Sequence, residues 1–550
     1  MSHLPKHDCW SSSFSWLGLS LMVFFGSTSF AQTEAIEQVT SVSPPTLEVA
    51  EYLDGQIWQR LELEQAIPAG PCEDHEFIRR LYLDLTGQIP SVAQLDRFLA
   101  DASPDKRERL IEELLASDAH FEYFATIFDT MLMGRKERKL GERKKHGWHA
   151  YLRRVFAENR PWDQVVREVL LARAEGEQRG HLWYLYEREN NHQEIAEAVA
   201  KSFFGVDIAC AQCHDHLAAE EIKQTHYWGL VGFFRRSTNA QTDQGIAIAE
   251  SAIGGFDDYA NPLLGTTEKL TLSFLLREDV PEPRPEDTAK QEDHESLYVA
   301  VAGEPKIPVF SRRERFVEEI VKDHPLIARA MVNRIWGLLL GRGLVHPIER
   351  MDSTQAPSHP ELLDWLSDDF RRNGYNIQRM VREVVRSQTY QRASSKGSSA
   401  GADHLFGSAI ARPLTAEAYL KSLQVALPFP QEVIDSENWQ RLAAQWRRFF
   451  PEIVPTTDQA TIDQALGLAN SPEFNAVLQA AAEQWVAETE SLETEQRIQL
   501  AYRRVYGRLP ETDELSMIQA YLARRIDRPV PAWAQVFWTL VTSAEFRYNH

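Results

Sequence analysis

Apolar residues recur every three or four positions through most of the chain, and this spacing restricts the fold more than any other feature. Leu110, Ile111, Leu114 and Leu115 show the pattern in one segment. Because an α-helix completes a turn in about 3.6 residues, such positions share one face, which must be buried against a neighbour. Glycines and prolines end many of these segments in both halves of the chain. The sequence therefore predicts a mainly α-helical protein.

Residues 240–310 interrupt the helical pattern. Three runs there favour strands (residues 246–253, 270–276 and 297–301), and residues 277–295 read as an acidic, proline-containing linker. We therefore predict two helical domains joined by a small β-containing, partly irregular insertion. The predicted divisions after the first 31 residues are a leader at 32–72, a first helical domain at 73–240, the insertion at 241–310 and a second helical domain at 311–550.

The first 31 residues have the pattern of a secretory signal peptide. A short polar start precedes an apolar run from Phe14 to Phe25, and Ser29-Phe30-Ala31 places small residues where a signal peptidase cuts. The run is too short for a stable membrane span, and no later stretch approaches the ~20 apolar residues that a spanning helix needs. We expect an exported protein of the periplasm or cell envelope without a transmembrane span after cleavage. An uncleaved N-terminal anchor is the alternative.

The charge balance restricts the partners. The formal net charge is −21 at pH 7, whereas binding to nucleic acid needs a basic footprint. We therefore expect no nucleic-acid partner. One basic run, residues 135–145, carries seven Lys or Arg residues against two Glu. It is either a docking patch for an acidic partner or lipid headgroups, or a solvated helix face.

The strongest functional signal is Cys210-Ala211-Gln212-Cys213-His214, which holds two of the four cysteines of the chain. C-x-x-C-H is the attachment pattern of c-type haem, in which the thiols bond the vinyl groups and the imidazole binds the iron. On a helical turn, Cys210, Cys213 and His214 project from one face. We expect these residues to hold haem c for electron transfer or redox support with a partner protein of the envelope.

The same residues admit other occupants. Two thiolates with His214 or His216 supply three ligands for a transition metal such as zinc, and a fourth is then needed. A redox-active or structural disulfide is a third interpretation, with Cys72 as a possible exchange partner. No methionine follows the motif before Met331, so the methionine ligand of a simple small cytochrome is missing, and His226 is the nearest candidate for a distal or further metal ligand.

Each occupant implies a different class of protein. A structural metal or a disulfide would make the chain a non-redox binding or scaffold protein of the envelope. A metal-dependent hydrolase of extracellular polymer is an enzyme alternative, although the chain has no Gly-rich phosphate loop, G-x-S-x-G or H-E-x-x-H. The sequence leaves open whether the protein is an enzyme.

Several motifs carry a resemblance to a known pair of domains. The N-terminal ones are Arg79-Arg80-Leu81-Tyr82-Leu83-Asp84-Leu85-Thr86-Gly87 and Phe204-Gly205-Val206-Asp207-Ile208-Ala209-Cys210 with the rest of the C-x-x-C-H. They resemble the planctomycete cytochrome-c-like domain of unknown function. The C-terminal ones are Val332-Asn333-Arg334-Ile335-Trp336, Ser358-His359-Pro360-Glu361 and Arg412-Pro413-Leu414-Thr415. They resemble the usual C-terminal companion of that domain, also of unknown function. The resemblance implies an exported, cytochrome-like architecture and no established reaction. The sequence departs from the family pattern after His216, where residues 217–221 replace the usual polar turn.

Overall fold

The computed structural model of the chain describes residues 48–135, 139–174, 176, 178–262, 265–286, 290–394, 403–449, 453–454 and 462–550. Helices dominate this part of the chain, and its strands pair only in twos. The prediction of a mainly α-helical fold is therefore confirmed. The predicted signal peptide and residues 32–47 of the predicted leader lie outside the described residues.

The N-terminal half is helical as far as Phe234. Its α-helices are α1 Val49–Leu63, α2 Asp74–Thr86, α3 Val92–Ala100, α4 Lys106–Leu115, α5 Asp118–Met133, α6 Leu140–Lys145, α7 Trp148–Ala157, α8 Trp162–Leu171, α9 Trp183–Tyr186, α10 His192–Val199 and α11 Gln224–Phe234. A π turn covers Ala200–Phe204, and 3₁₀ turns cover Gly180–Leu182 and Ala209–Gln212. Helix α1 lies inside the segment predicted as a leader, and Val49, Leu53, Ile57 and Leu61 bury one face of it.

The insertion contains short antiparallel hairpins. They are β1 Ser237–Thr242 with β2 Gly245–Glu250, β3 Tyr259–Asn261 with β4 Thr266–Glu268, and β5 Tyr298–Val299 with β6 Ile307–Pro308. The strand predicted at 270–276 is wrong, because that segment makes only one bridge, Leu272 to Val280. Its apolar residues instead pack across α11, where the absence of side chains at Gly229 and Gly232 lets Ser273 and Leu270 approach the helix.

The C-terminal half is helical again. Its α-helices are α12 Arg312–Arg315, α13 Pro325–Leu340, α14 Pro360–Arg372, α15 Ile377–Arg386, α16 Ala416–Ala426, α17 Gln431–Ile434, α18 Glu437–Phe449, α19 Ile462–Asn470, α20 Pro472–Glu488, α21 Thr494–Tyr506, α22 Thr512–Ala523, α23 Pro529–Thr542 and α24 Ala544–Arg547. A π turn covers Phe316–Val321, 3₁₀ turns cover Glu295–Leu297 and Asp403–Leu405, and β7 Arg412–Pro413 pairs with β8 Tyr548–Asn549.

Two hydrophobic cores hold these elements together. The larger contains residues from Val49 to Phe406, and the smaller is built mainly from residues 414–546. Helix α2 serves both, because Leu81 and Leu85 belong to the first core and Leu83 to the second. The divisions drawn from the sequence stay a prediction. Within the described residues, no helix combines the length and the apolar character needed to cross a membrane.

Candidate functional site

The C-x-x-C-H motif follows a tight change of direction after α10. Gly205 ends the π turn with φ +70°, a left-handed conformation that glycine adopts without strain. The side chain of Asp207 then accepts a hydrogen bond from the backbone N–H of Ala209 at 3.0 Å and pairs with Lys201. Ala211 is fully buried in the larger core. The motif is thus fixed to the molecule at its centre.

The motif residues lie at the surface. Cys210 and Cys213 are both exposed free thiols, and His214 is half-buried. The local helix is a 3₁₀ turn that ends at Gln212, so Cys213 and His214 come just after it. The prediction that the three side chains project from one face assumed α-helical spacing. This turn is not α-helical, so that assumption does not hold here.

The hydrogen bond of His214 determines which ring nitrogen can bind a metal. Its Nδ1 lies 2.7 Å from the carbonyl oxygen of Asp215. A carbonyl oxygen can only accept a hydrogen bond, so Nδ1 carries the hydrogen of the neutral ring. The lone pair is therefore on Nε2, which is the arrangement found in many metal-binding histidines. His214 is in the tautomer that ligates through Nε2.

His216 and His226 have the opposite arrangement. The Nδ1 of His216 accepts backbone hydrogen bonds from Ala218 at 3.2 Å and Ala219 at 2.8 Å, and that of His226 accepts one from Lys223 at 3.2 Å. In a neutral ring of this kind, Nε2 carries the hydrogen and offers no lone pair. Burial lowers the pKa of His226, and the charge of Lys223 lowers it further. Both rings act as local caps.

The histidines and cysteines are not gathered into a ready metal centre. Across the described residues, no group of three or more His, Cys, Asp or Glu side chains is placed to hold a metal ion. A metal-binding role for His216 and His226 stays a prediction, and their hydrogen bonds favour His214 over them as a ligand.

The N-terminal part of α11 is hydrogen-bonded to the motif. The carbonyl oxygen of Gln212 accepts hydrogen bonds from the Gln224 side-chain amide and the Trp228 indole, both at 3.1 Å. The backbone N–H of Gln224 donates to the Asp215 carboxylate at 2.8 Å. Gln224 is only 2 % exposed, and the three bonds are partly buried. They attach the turn of the motif to α11.

A segment of the C-terminal half, residues 351–353, is hydrogen-bonded to the chain just before and just after the motif. Met351 donates its backbone N–H to the Gly205 carbonyl at 2.9 Å. Ser353 donates from its backbone and hydroxyl to the Glu221 carboxylate at 2.7 and 2.8 Å. Burial opposes the charge of Glu221, but the bonds from Ser353 outweigh it and lower the pKa. The segment that departs from the family pattern therefore has a structural partner, which residue spacing alone gave no sign of.

Cys72 is separate from the motif in exposure and chemistry. Its side chain is 3 % exposed and packs in the larger core. Burial raises the pKa of the thiol, although the charges of Arg80 and Arg107 oppose this. A buried thiol with a raised pKa is a poor nucleophile. The structure therefore disfavours the suggested thiol exchange between Cys72 and the motif in the folded chain.

Comparisons with known families agree with the two-part resemblance. Residues 52–239 match the family described as PSCyt2, protein of unknown function (DUF1549), and residues 312–430 match PSD1, protein of unknown function (DUF1553). No curated protein and no solved structure matches the chain. The two families occur in the expected order, and neither description names a reaction.

Proposed function

We propose that the chain is an exported envelope protein that carries covalently attached haem c for electron transfer with a partner protein. Cys210 and Cys213 would hold the haem, and His214 would bind its iron. The observation that carries the proposal is the 2.7 Å contact between His214 Nδ1 and the Asp215 carbonyl oxygen. It leaves the lone pair on Nε2, in a motif whose two cysteines are free thiols.

The exposure and fixation of the motif fit covalent attachment. Each thiol would add its S–H across one vinyl group, so that one thioether forms per cysteine and nothing is released. Both thiols are exposed, which lets haem reach them. The bonds from Gln224 and Trp228 to Gln212 hold the turn between the cysteines in place, so little ordering remains when a ligand binds. Bound haem would supply a one-electron centre.

The acidic character of the chain suggests the kind of redox partner. A formal net charge of −21 creates a field that attracts a basic protein and speeds its encounter. Electron transfer between such partners should therefore slow as salt is added.

The test is expression of the full chain with its leader in a host that has a cytochrome c maturation system. Haem staining of a denaturing gel reports covalent attachment. We expect a stained band for the natural chain, no band for the Cys210→Ser/Cys213→Ser double variant, and a normal band for Cys72→Ser. The last variant is the matched control, because it removes a cysteine outside the motif. An unstained natural chain, beside a control cytochrome that matures in the same cells, would refute the proposal.

Metal analysis of the same preparation separates the remaining interpretations. One zinc ion per chain in place of haem would support a structural metal and a binding or scaffold role. Loss of that zinc in the Cys210→Ser/Cys213→Ser variant would place it at the motif.

A further inference from the structure

A pocket of about 380 Å³ lies among α21, α22 and α23. Its volume is in the range of small-molecule sites in proteins. The pocket belongs to a part of the chain that neither family model matches, and it contains no residue of the C-x-x-C-H motif. Its lining combines apolar side chains and two arginines with two uncharged polar residues, Thr494 and Gln519.

One wall of the pocket is apolar. It includes Ile526, which is 85 % exposed, and Trp533, which is 3 % exposed. The Trp533 ring belongs to the smaller core, where its centre lies 5.5 Å from that of Trp485. A ligand group that covers Ile526 would remove apolar surface from water, which favours binding. The apolar side chains of the lining are Leu522, Ala523, Ile526, Pro529, Ala532 and Trp533.

Two guanidinium groups also line the pocket, those of Arg497 and Arg525. Arg497 donates hydrogen bonds to the backbone carbonyl oxygens of Leu492 at 2.9 Å and Glu490 at 2.7 Å. A guanidinium group carries more N–H donors than these two bonds use. The guanidinium of Arg525 lies 4.5 Å from the centre of the Tyr521 ring, a contact that positions the group and leaves its charge unneutralised.

No carboxylate is paired with these two guanidinium groups. None of the described residues that line the pocket is Asp or Glu, and no carboxylate in the described part of the chain lies within ion-pair distance of either group. The carboxylates nearest to them in sequence have other partners. Asp527 pairs with Arg528 at 3.6 Å, Glu493 caps α21, and Glu495 accepts a hydrogen bond from Gln499 at 3.1 Å.

Helix α23 begins at the pocket. Its first residue, Pro529, is part of the lining, and the described residues provide no side-chain cap for this end of the helix. The N-terminus of a helix carries the positive end of its dipole. This partial charge adds to the charges of the two arginines, so the polar side of the pocket favours an anion.

We infer that this pocket binds a small carboxylic acid with an apolar body. Its carboxylate would contact Arg497 and Arg525, and its body would cover Ile526 and Trp533. A guanidinium group suits a carboxylate because its coplanar N–H groups can donate two parallel hydrogen bonds. The inference is independent of haem attachment, because none of the motif residues lines the pocket.

Calorimetric titration of the full chain tests this site with three probes: phenylacetate, its neutral analogue phenylacetamide, and acetate, which lacks the apolar body. We expect phenylacetate to bind with a Kd below about 1 mM. Phenylacetamide and acetate should each bind at least about tenfold more weakly, because each lacks one of the two groups that the pocket recognises. No binding of phenylacetate, or equal binding of either analogue, would overturn the inference.

A first pair of variants tests the charged contact. Arg525→Gln should weaken phenylacetate binding about tenfold, the effect of losing one charge-assisted contact. Arg524→Gln is the matched control, because Arg524 is the preceding residue, is exposed and does not line the pocket. Both variants change the net charge equally. Equal weakening in the two would overturn the role of the lining arginine.

A second pair tests the apolar contact. Ile526→Ser should weaken phenylacetate binding at least about threefold, because the ligand then covers less apolar surface. Met517→Ser is the matched control, since Met517 is 71 % exposed on α22 and does not line the pocket. Both replaced side chains are exposed, so both variants should keep the melting temperature of the natural chain. Equal binding by these two variants would overturn the apolar part of the recognition.

Discussion

Replacing Asp84 by alanine should destabilise the protein far more than removing an ordinary surface carboxylate. Asp84 is 6 % exposed on α2. One of its oxygens accepts hydrogen bonds from Asn549 at 2.8 Å and from Arg412, and the other accepts one from the Tyr390 hydroxyl at 2.8 Å. Burial raises the pKa of Asp84, although Arg412 opposes this, and at Arg412 the charge of Asp84 outweighs burial and raises the pKa. The two shifts disagree on how far Asp84 is ionised, and the hydrogen bonds from Arg412, Asn549 and Tyr390 favour the carboxylate. The carboxylate therefore ties α2 to both strands β7 and β8.

The size of the effect follows from what Asp84→Ala leaves behind. The side chain of Arg412 is 12 % exposed, and it would stay charged without its carboxylate. Removing one partner of a buried ion pair costs about 3–5 kcal/mol. The pair between Asp96 and Arg503 provides the comparison, because these side chains are 51 % and 34 % exposed. Loss of an exposed pair of this kind costs about 0–1 kcal/mol.

Urea unfolding followed by circular dichroism measures the difference. We expect Asp84→Ala to lower the free energy of unfolding by about 3–5 kcal/mol and Asp96→Ala by less than about 1 kcal/mol. The double variant Asp84→Ala/Arg412→Ala should lose less than the sum of its single changes, since it leaves no unpaired charge. If Asp84→Ala lowers the free energy of unfolding no more than Asp96→Ala does, the hydrogen bonds of Asp84 do not stabilise the packing of α2 against β7 and β8.

Three further predictions concern burial and backbone conformation. Burial, with the charge of Arg60, lowers the pKa of His359 to about 4, so the unfolded chain takes up a proton at this histidine before the folded chain does as the pH falls. The unfolding free energy of His359→Phe should therefore rise by about 2 kcal/mol relative to that of the natural chain between pH 7.5 and 5. A difference that does not change with pH would contradict the lowered pKa. In urea unfolding, Gly205→Ala should lower the free energy of unfolding more than Gly374→Ala does. Both glycines have positive φ, but only a Cβ added at Gly205 would contact other side chains, Met351 among them. Equal losses of unfolding free energy in the two variants would contradict this contact. In the reduced, haem-free chain of residues 32–550, which lacks Cys9, a thiol reagent should modify the two exposed cysteines at once and the buried Cys72 only after denaturation. Three fast thiols would contradict the burial of Cys72.

Local signals in the sequence predicted the helices well. Serine is a residue type typical of helix N-caps, and in the structure the Ser91 hydroxyl accepts from the N–H of Gln94 while the Gln94 side chain accepts from the N–H of Ser91. The sequence predicts in general that glycines end many of the helices, and Gly87 has φ +66° at the C-cap of α2. Such signals depend on a few neighbouring residues, so they survive in any tertiary setting.

Elements stabilised by distant partners were harder to predict. Helix α1 has only four buried positions and packs against α14 and α15, far along the chain. The apolar alternation at 270–276 resembled a strand, but α11 covers it. The candidate site shows the same division: the C-x-x-C-H spacing is local, while the support from Met351 and Ser353 depends on the folded chain.

The most direct test of the proposed function is the intact mass of the unfolded, exported protein after expression with cytochrome c maturation. We predict the mass of the processed chain plus one haem, and the mass of the processed chain alone for the Cys210→Ser/Cys213→Ser variant. A natural chain that is only two hydrogens lighter than its sequence would show a disulfide in place of the thioethers. That mass, or the unmodified mass, would contradict haem attachment at this motif.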